Sequence, residues 1–156
     1  GLQQSVLGRT VGTPAVRDGV VYVGTSDSSR FMALDAKSGR LRFNDDAKSY
    51  VFSSAALAGD YAYFGSHNGR LYALDIRTGR IAWTFQTEAS RRDPMQLLDA
   101  DGRLTATGMA PVFGDFQDMY IDLFRFRSIG AILSSPAVAD GVVYVGSLDG
   151  HLYALH

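Results

Sequence analysis

The chain holds 156 residues, 46% hydrophobic and 20% charged: one domain's worth of chain with enough apolar content for a core, not the composition of a disordered tail. Fifteen basic side chains against sixteen acidic ones leave a net charge of −1, so the charge balance draws in neither nucleic acid nor an anionic membrane. The absence of cysteine excludes disulfide frameworks, thiolate zinc sites, iron–sulfur clusters and thiol nucleophiles.

Fifteen of the sixteen acids are aspartate and thirteen of the fifteen bases are arginine. Glutamate and lysine, common on exposed helix faces, are nearly missing, while 17 glycines, eight tyrosines and nine phenylalanines suit short strands and tight turns. Residues 1–9 carry neither a basic nor an apolar leader region, so no secretory leader is expected within them. No apolar run approaches the roughly 20 residues of a membrane span.

Residues 5–9 (SVLGR) read as a lone strand. A lead-in follows at 13–16 (TPAV), then DGVVYVGT at 18–25, FMALD at 31–35 and AKSGRLRF at 36–43. The same order returns as SSAAL at 53–57, GDYAYFGS at 59–66, LYALD at 71–75 and IRTGRIAW at 76–83. It returns again as SSPAV at 134–138, DGVVYVGS at 140–147 and LYAL at 152–155. Tyr22 and Tyr63 are 41 residues apart, and Tyr63 and Tyr144 are 81 apart, so one degenerate copy is expected between them. Its lead-in is read at 94–98 and its second strand at 103–107, after the turn Asp101-Gly102. The third strand is read at 119–126, on the alternation Tyr120, Asp122, Phe124, Phe126. A turn at 128–130 and a fourth strand at 131–133 complete it.

Four short strands in about forty residues is the mark of a propeller blade, a small twisted sheet that needs neighbours to bury its faces. The expected fold is therefore all-β: a β-propeller segment of four-stranded antiparallel blades over 1–156, with blades starting near 13, 53, 94 and 134. The lone strand 5–9 completes a terminal blade. Asp-Gly, Ser-Gly and Thr-Gly supply the hairpin turns. Asp35 and Asp75, recurring with the repeat, are read as turn-bonding carboxylates, and Trp83 and Phe43 as packing between blades.

The units at 134–155 (SSPAVADGVVYVGSLDGHLYAL) and 65–83 (GSHNGRLYALDIRTGRIAW) resemble the PQQ-like β-propeller repeat family. That resemblance implies a ring of seven or eight blades, of which four are half. It also implies extracytoplasmic residence. Such blades serve quinone-cofactor dehydrogenases, outer-membrane assembly lipoproteins and sensor domains, so fold alone does not choose among them. The dehydrogenases commonly carry an adjacent cysteine pair, an axial tryptophan and carboxylates for Ca²⁺. This chain has no cysteine and one tryptophan.

Candidate site residues lie on the face carrying the second-to-third and fourth-to-first connections. The connection 109–118 is long there and carries Phe113, Asp115 and Phe116, a mix suited to protein contact. The turn 88–93 carries Arg91 and Arg92, a pair able to fork onto a carboxylate or phosphate. The first fourth-to-first connection, 44–48, carries Asp45 and Asp46, read as a polar loop rather than a Ca²⁺ site. His67 and His151 are read as structural, being in turns two units apart. The expectation is a non-catalytic scaffold or protein-interaction domain with no metal and no cofactor. Its partners are a protein and either a second copy or the missing half of the propeller. A dimer would bury more than roughly 2,000 Å². The alternatives are a fragment of a PQQ-dependent dehydrogenase and a ligand-sensing domain of a larger protein.

Overall fold

A computed structural model describes residues 8–106 and 116–156, with side chains described for all of these except 116–120. The lone strand expected at 5–9 falls largely outside them; Gly8 and Arg9 are not in a strand. The first sheet is an antiparallel meander of β1 (Ala15–Arg17), β2 (Val20–Gly24), β3 (Arg30–Asp35) and β4 (Leu41–Asp46). The second repeats it with β5 (Ala56–Ala58), β6 (Tyr61–Gly65), β7 (Arg70–Asp75) and β8 (Arg80–Gln86). Two helices follow, α1 (Glu88–Arg92) and α2 (Phe116–Ser128). The third sheet has β9 (Ala137–Ala139), β10 (Val142–Gly146) and β11 (Leu152–Leu155).

The repeated residues make repeated local geometry. Asp18-Gly19 and Asp140-Gly141 both take positive φ at each residue (50° and 72°; 50° and 78°), as a two-residue hairpin turn matched to strand twist demands. Asp35 Oδ1 accepts the backbone N–H groups of Lys37 and Ser38 at 3.2 and 2.9 Å. Asp75 Oδ1 accepts those of Arg77 and Thr78 at 2.8 and 3.3 Å. Both aspartates are turn builders, as their recurrence indicates. The glycines closing the first two YVG-type strands have a packing reason. A Cβ on Gly24 would collide with Val51, and one on Gly65 with Ile132.

Packing explains the burial pattern along each strand. One face of the second sheet meets the first sheet, where Phe31 stacks on Phe64 at 4.0 Å and Phe64 on Tyr72 at 5.2 Å. Its other face, with Tyr63, Leu71 and Ala73, meets Val143 and Val145 of the third sheet. Covered on both sides, β6 and β7 are buried almost throughout. The third sheet is covered on one side, so β9, β10 and β11 alternate between sheltered and open residues.

The degenerate copy does not form the expected strands. Residues 119–126, read as a third strand, lie inside α2. Of the second strand expected at 103–107, residues 103–106 are described and contribute a single bridge, Leu98 to Leu104, and 131–133 form no strand. The buried positions are Asp122, Phe126 and Ile129, spaced as one helix face, while Ile121, Leu123 and Phe124 are exposed. No glycine or proline interrupts 116–129. Arg125 and Arg127 occupy the last turn, where cations suit the helix dipole. Gly130, at φ 56°, ends α2: its N–H bonds Arg127 O at 3.1 Å and the Ala131 N–H bonds Phe126 O at 2.9 Å. That is a Schellman closure, sealed by Phe126 and Ala131 in one apolar cluster with Leu97.

Candidate functional site

The connections β2–β3, β6–β7 and β10–β11, together with β4–β5 and β8–β9, emerge at one end of the sheets. Repeated backbone bonds fix them to one another. Ser26 N–H donates to Arg9 O at 2.7 Å, His67 N–H to Tyr50 O at 3.0 Å, and Leu148 N–H to Ala131 O at 3.0 Å. Each second-to-third turn is thereby pinned to the connection that precedes its sheet.

On this face α1, α2 and the β10–β11 turn enclose a cleft of about 310 Å³. Thr87 caps α1 by accepting the Ser90 N–H at 3.2 Å. Its own hydroxyl donates to Ile129 O at 3.3 Å, which locks the start of α1 to the end of α2. Ser147 Oγ donates to Gly130 O at 2.8 Å and adds the third wall. Arg92 and Phe124 face the cleft with Arg127, Asp149 and His151. Burial pushes the Asp149 carboxyl up, but hydrogen bonds from Tyr153 Oη (2.6 Å), the His151 N–H (3.1 Å) and Ser147 outweigh it, holding the group below its usual range. Burial first, and then Asp149, raises the Tyr153 phenol. The cleft thus sets a fixed carboxylate, two guanidinium groups and an exposed phenylalanine along one opening.

Arg91 and Arg92 stand in α1 rather than in an irregular turn. Arg92 pairs with Glu88 one helical turn back, and Arg91 is exposed. Phe116 opens α2, while Phe113 and Asp115 lie outside the described residues. The structure therefore brings Arg92 to α2, but through Phe124 and Arg127, which sequence reasoning passed over. The helical spacing of 122, 126 and 129 was the signal that points to them. Asp45 and Asp46 belong to β4, not to a loop. Asp45 Oδ2 accepts the Ile81 N–H at 3.1 Å, and Asp46 pairs with Lys48 and Arg103. No cluster of three potential metal ligands occurs among the described residues. Trp83 packs against Tyr63 at 5.8 Å within the contact between the second and third sheets, as its repeat position implies.

A second cleft, of about 430 Å³, lies nearer β1, between Arg9–Val11 and the aromatic side chains of Tyr50, Phe52, His67 and Phe126. His67 is 2% exposed and edge-on to Phe52 and Phe126, at 4.2 and 4.7 Å. Burial lowers its pKa to about 4, and a bond from Nδ1 to Tyr50 O (3.2 Å) opposes the shift only in part.

Antiparallel sheets stacked face to face, with the sequence units repeating from one to the next, define a β-propeller of PQQ-like repeats. The chain belongs to the family described as outer membrane protein assembly factor BamB, whose profile it matches over residues 2–156. It is similar to the dehydrogenase subunit of the quinone alcohol dehydrogenase of Gluconobacter oxydans strain 621H, 37% identical over 87 residues, 49% of this chain and 11% of that protein. A quinoprotein ethanol dehydrogenase of Pseudomonas putida is 40% identical over 77 residues, 44% of this chain and 12% of that protein. Among solved structures, the quinohemoprotein alcohol dehydrogenase ADHIIG of Pseudomonas putida HK5 aligns with a TM-score of 0.59 at 25% identity, over 94% of this chain and 18% of that one. BamB of Moraxella catarrhalis aligns with a TM-score of 0.53 at 22% identity, over 99% of this chain and 48% of that one, a likeness of fold. The chain thus spans about a tenth of the length of the curated dehydrogenases it matches and about half of the Moraxella BamB. No helix among the described residues is long and apolar enough to cross a membrane.

Proposed function

We propose that this chain is a non-catalytic, protein-binding segment of a PQQ-like propeller, working outside the cytoplasm in a bacterial envelope. The observation that carries this reading is α2. It interrupts the repeat and holds Ile121, Leu123 and Phe124 at 49, 56 and 66% exposure on the loop face. Of these, Phe124 lines the cleft beside Arg92, Arg127 and Asp149, and an exposed phenylalanine among those charges suits burial by another protein. Phe113, Asp115 and Phe116 lead into the same helix, and with Arg91 they extend the proposed contact. The repeat frame supports a four-unit arc with units beginning near 13, 53, 94 and 134, the third reshaped around α2. The open sides of the arc are covered by a second copy or by further blades.

The test is affinity capture from envelope extracts with the wild-type chain and with Phe124→Ser combined with Arg92→Ala. A partner retained by the first and lost by the second, at matched thermal stability, supports the reading. A second reading, a piece of a quinone-dependent dehydrogenase, is favoured by the 37% identity to the Gluconobacter subunit. Adding PQQ with Ca²⁺ separates the two: a dissociation constant below about 1 μM with a red-shifted absorbance sinks the scaffold reading.

A further inference from the structure

The cleft beside His67 opens on the same end of the sheets as the α1–α2 cleft but shares no lining residue with it. His67 is sealed from solvent except where its ring lines this cleft, and its two nitrogens have different fates. Nδ1 lies 3.2 Å from Tyr50 O, and a carbonyl can only accept, so Nδ1 carries the proton of the neutral ring. Nε2 is then a bare acceptor. It has no hydrogen-bond partner among the described residues, and its ring lines the cleft. Around it stand the rings of Tyr50, Phe52 and Phe126, and across it the exposed rim at Thr10 and Val11.

We propose that this cleft binds an aromatic side chain carrying an O–H or N–H donor, a tyrosine or tryptophan of a bound polypeptide, with His67 Nε2 accepting its hydrogen bond. Three rings supply faces and edges for a fourth, and a lone pair in a low-dielectric wall rewards a donor and penalises its absence. A bare lone pair on Nε2 attracts a hydrogen-bond donor and repels a carboxylate oxygen while the ring is neutral. The occupant belongs to a polypeptide because the cleft is open along its rim. Val11 is 63% exposed there, and chain continuing from the bound ring covers it.

The experiment titrates N-acetyl-tyrosinamide and N-acetyl-tryptophanamide into protein labelled with ¹⁵N in its histidines. The expected result is saturable binding with Kd of about 1 mM for at least one amide. The His67 Nε2 resonance moves to lower frequency as it accepts a hydrogen bond. N-acetyl-phenylalaninamide, which offers the ring without the donor, binds at least about tenfold more weakly, as an unpaired acceptor dictates. Val11→Ser, at an exposed position that leaves the fold intact, weakens binding of the amides. No saturable shift below about 10 mM, or equal binding of the phenylalanine amide, overturns the site. Phenol binding as tightly as the tyrosine amide, or Val11→Ser without effect, overturns the polypeptide source.

Discussion

His67 shows how one residue's surroundings reach into stability. The unfolded chain protonates this side chain near the ordinary histidine value of 6.5, whereas the folded protein holds it neutral down to about 4. Stability is therefore complete above pH 6.5 and declines as pH falls from 6.5 toward 4, because the unfolded state alone takes up the proton. The loss reaches about 2 kcal/mol by pH 5. Urea unfolding at pH 7 and pH 5 should show that decline in the wild type and a flatter profile in His67→Phe. Asp75, lowered to about 2 by its bonds to Arg77, acts in a different window: its contribution is present above pH 3.8 and is lost as pH falls toward 2. Glycine at the end of the first two YVG-type strands is equally specific. Gly65→Ala drives a methyl group into Ile132 and should cost about 1–3 kcal/mol, read as a lower urea midpoint with unchanged slope. The turn roles of Asp35 and Asp75 were legible from spacing alone, because an aspartate three residues before Ser-Gly or Thr-Gly is placed to accept the amides that follow it. The burial of His67 was not legible, since its aromatic neighbours come from Tyr50, Phe52 and the distant Phe126.

At the level of elements, strands and hairpins were readable wherever alternation and a glycine turn agreed. The helix α2 was not. Tyr120, Asp122, Phe124 and Phe126 alternate as a strand does, and the repeat frame called for a strand at that place. The competing pattern, Asp122, Phe126 and Ile129 on one face and a glycine at 130, prevailed because Leu97, Leu104 and Ala131 offer that face an apolar seat. Two consequences are measurable. The ¹³Cα shifts across 121–128 should be those of a helix, and Leu123→Pro should cost about 3 kcal/mol or more despite the exposure of Leu123. A cost near zero for that substitution would contradict a helix there. The candidate site followed the same division. Arg91 and Arg92 were legible as a basic pair near a connection, but Phe124 and Arg127 needed the helix to be seen on the same face.

For the molecule as a whole, the two outer flanks of the stack decide what it associates with. The face of the second sheet that docks on the third includes Ala56, Tyr63, Leu71 and Ala73. Their repeat counterparts on the third sheet are Ala137, Tyr144, Leu152 and Ala154, all exposed, with Leu152 at 74%. The opposite flank, on the first sheet, carries Val16, Val21 and Leu34 at the places where the third sheet has Val138, Val143 and Leu155. One flank therefore has the residues of a docking face and the other those of its complement. Further blades on either side would satisfy both, and so would a second copy placed head to tail, which is the pairing proposed for the isolated chain. Multi-angle light scattering at micromolar concentration should show a dimer, and Leu152→Asp should give monomers; a wild-type monomer would contradict the pairing.

Protein contact through the loop face is the central claim, and affinity of a captured partner tests it most directly. Titration calorimetry should give at least about a tenfold loss, ~1.4 kcal/mol, for Phe124→Ser with Arg92→Ala, at a melting temperature within about 2 °C of wild type, as exposed positions allow. Unchanged affinity in that folded variant would contradict the claim.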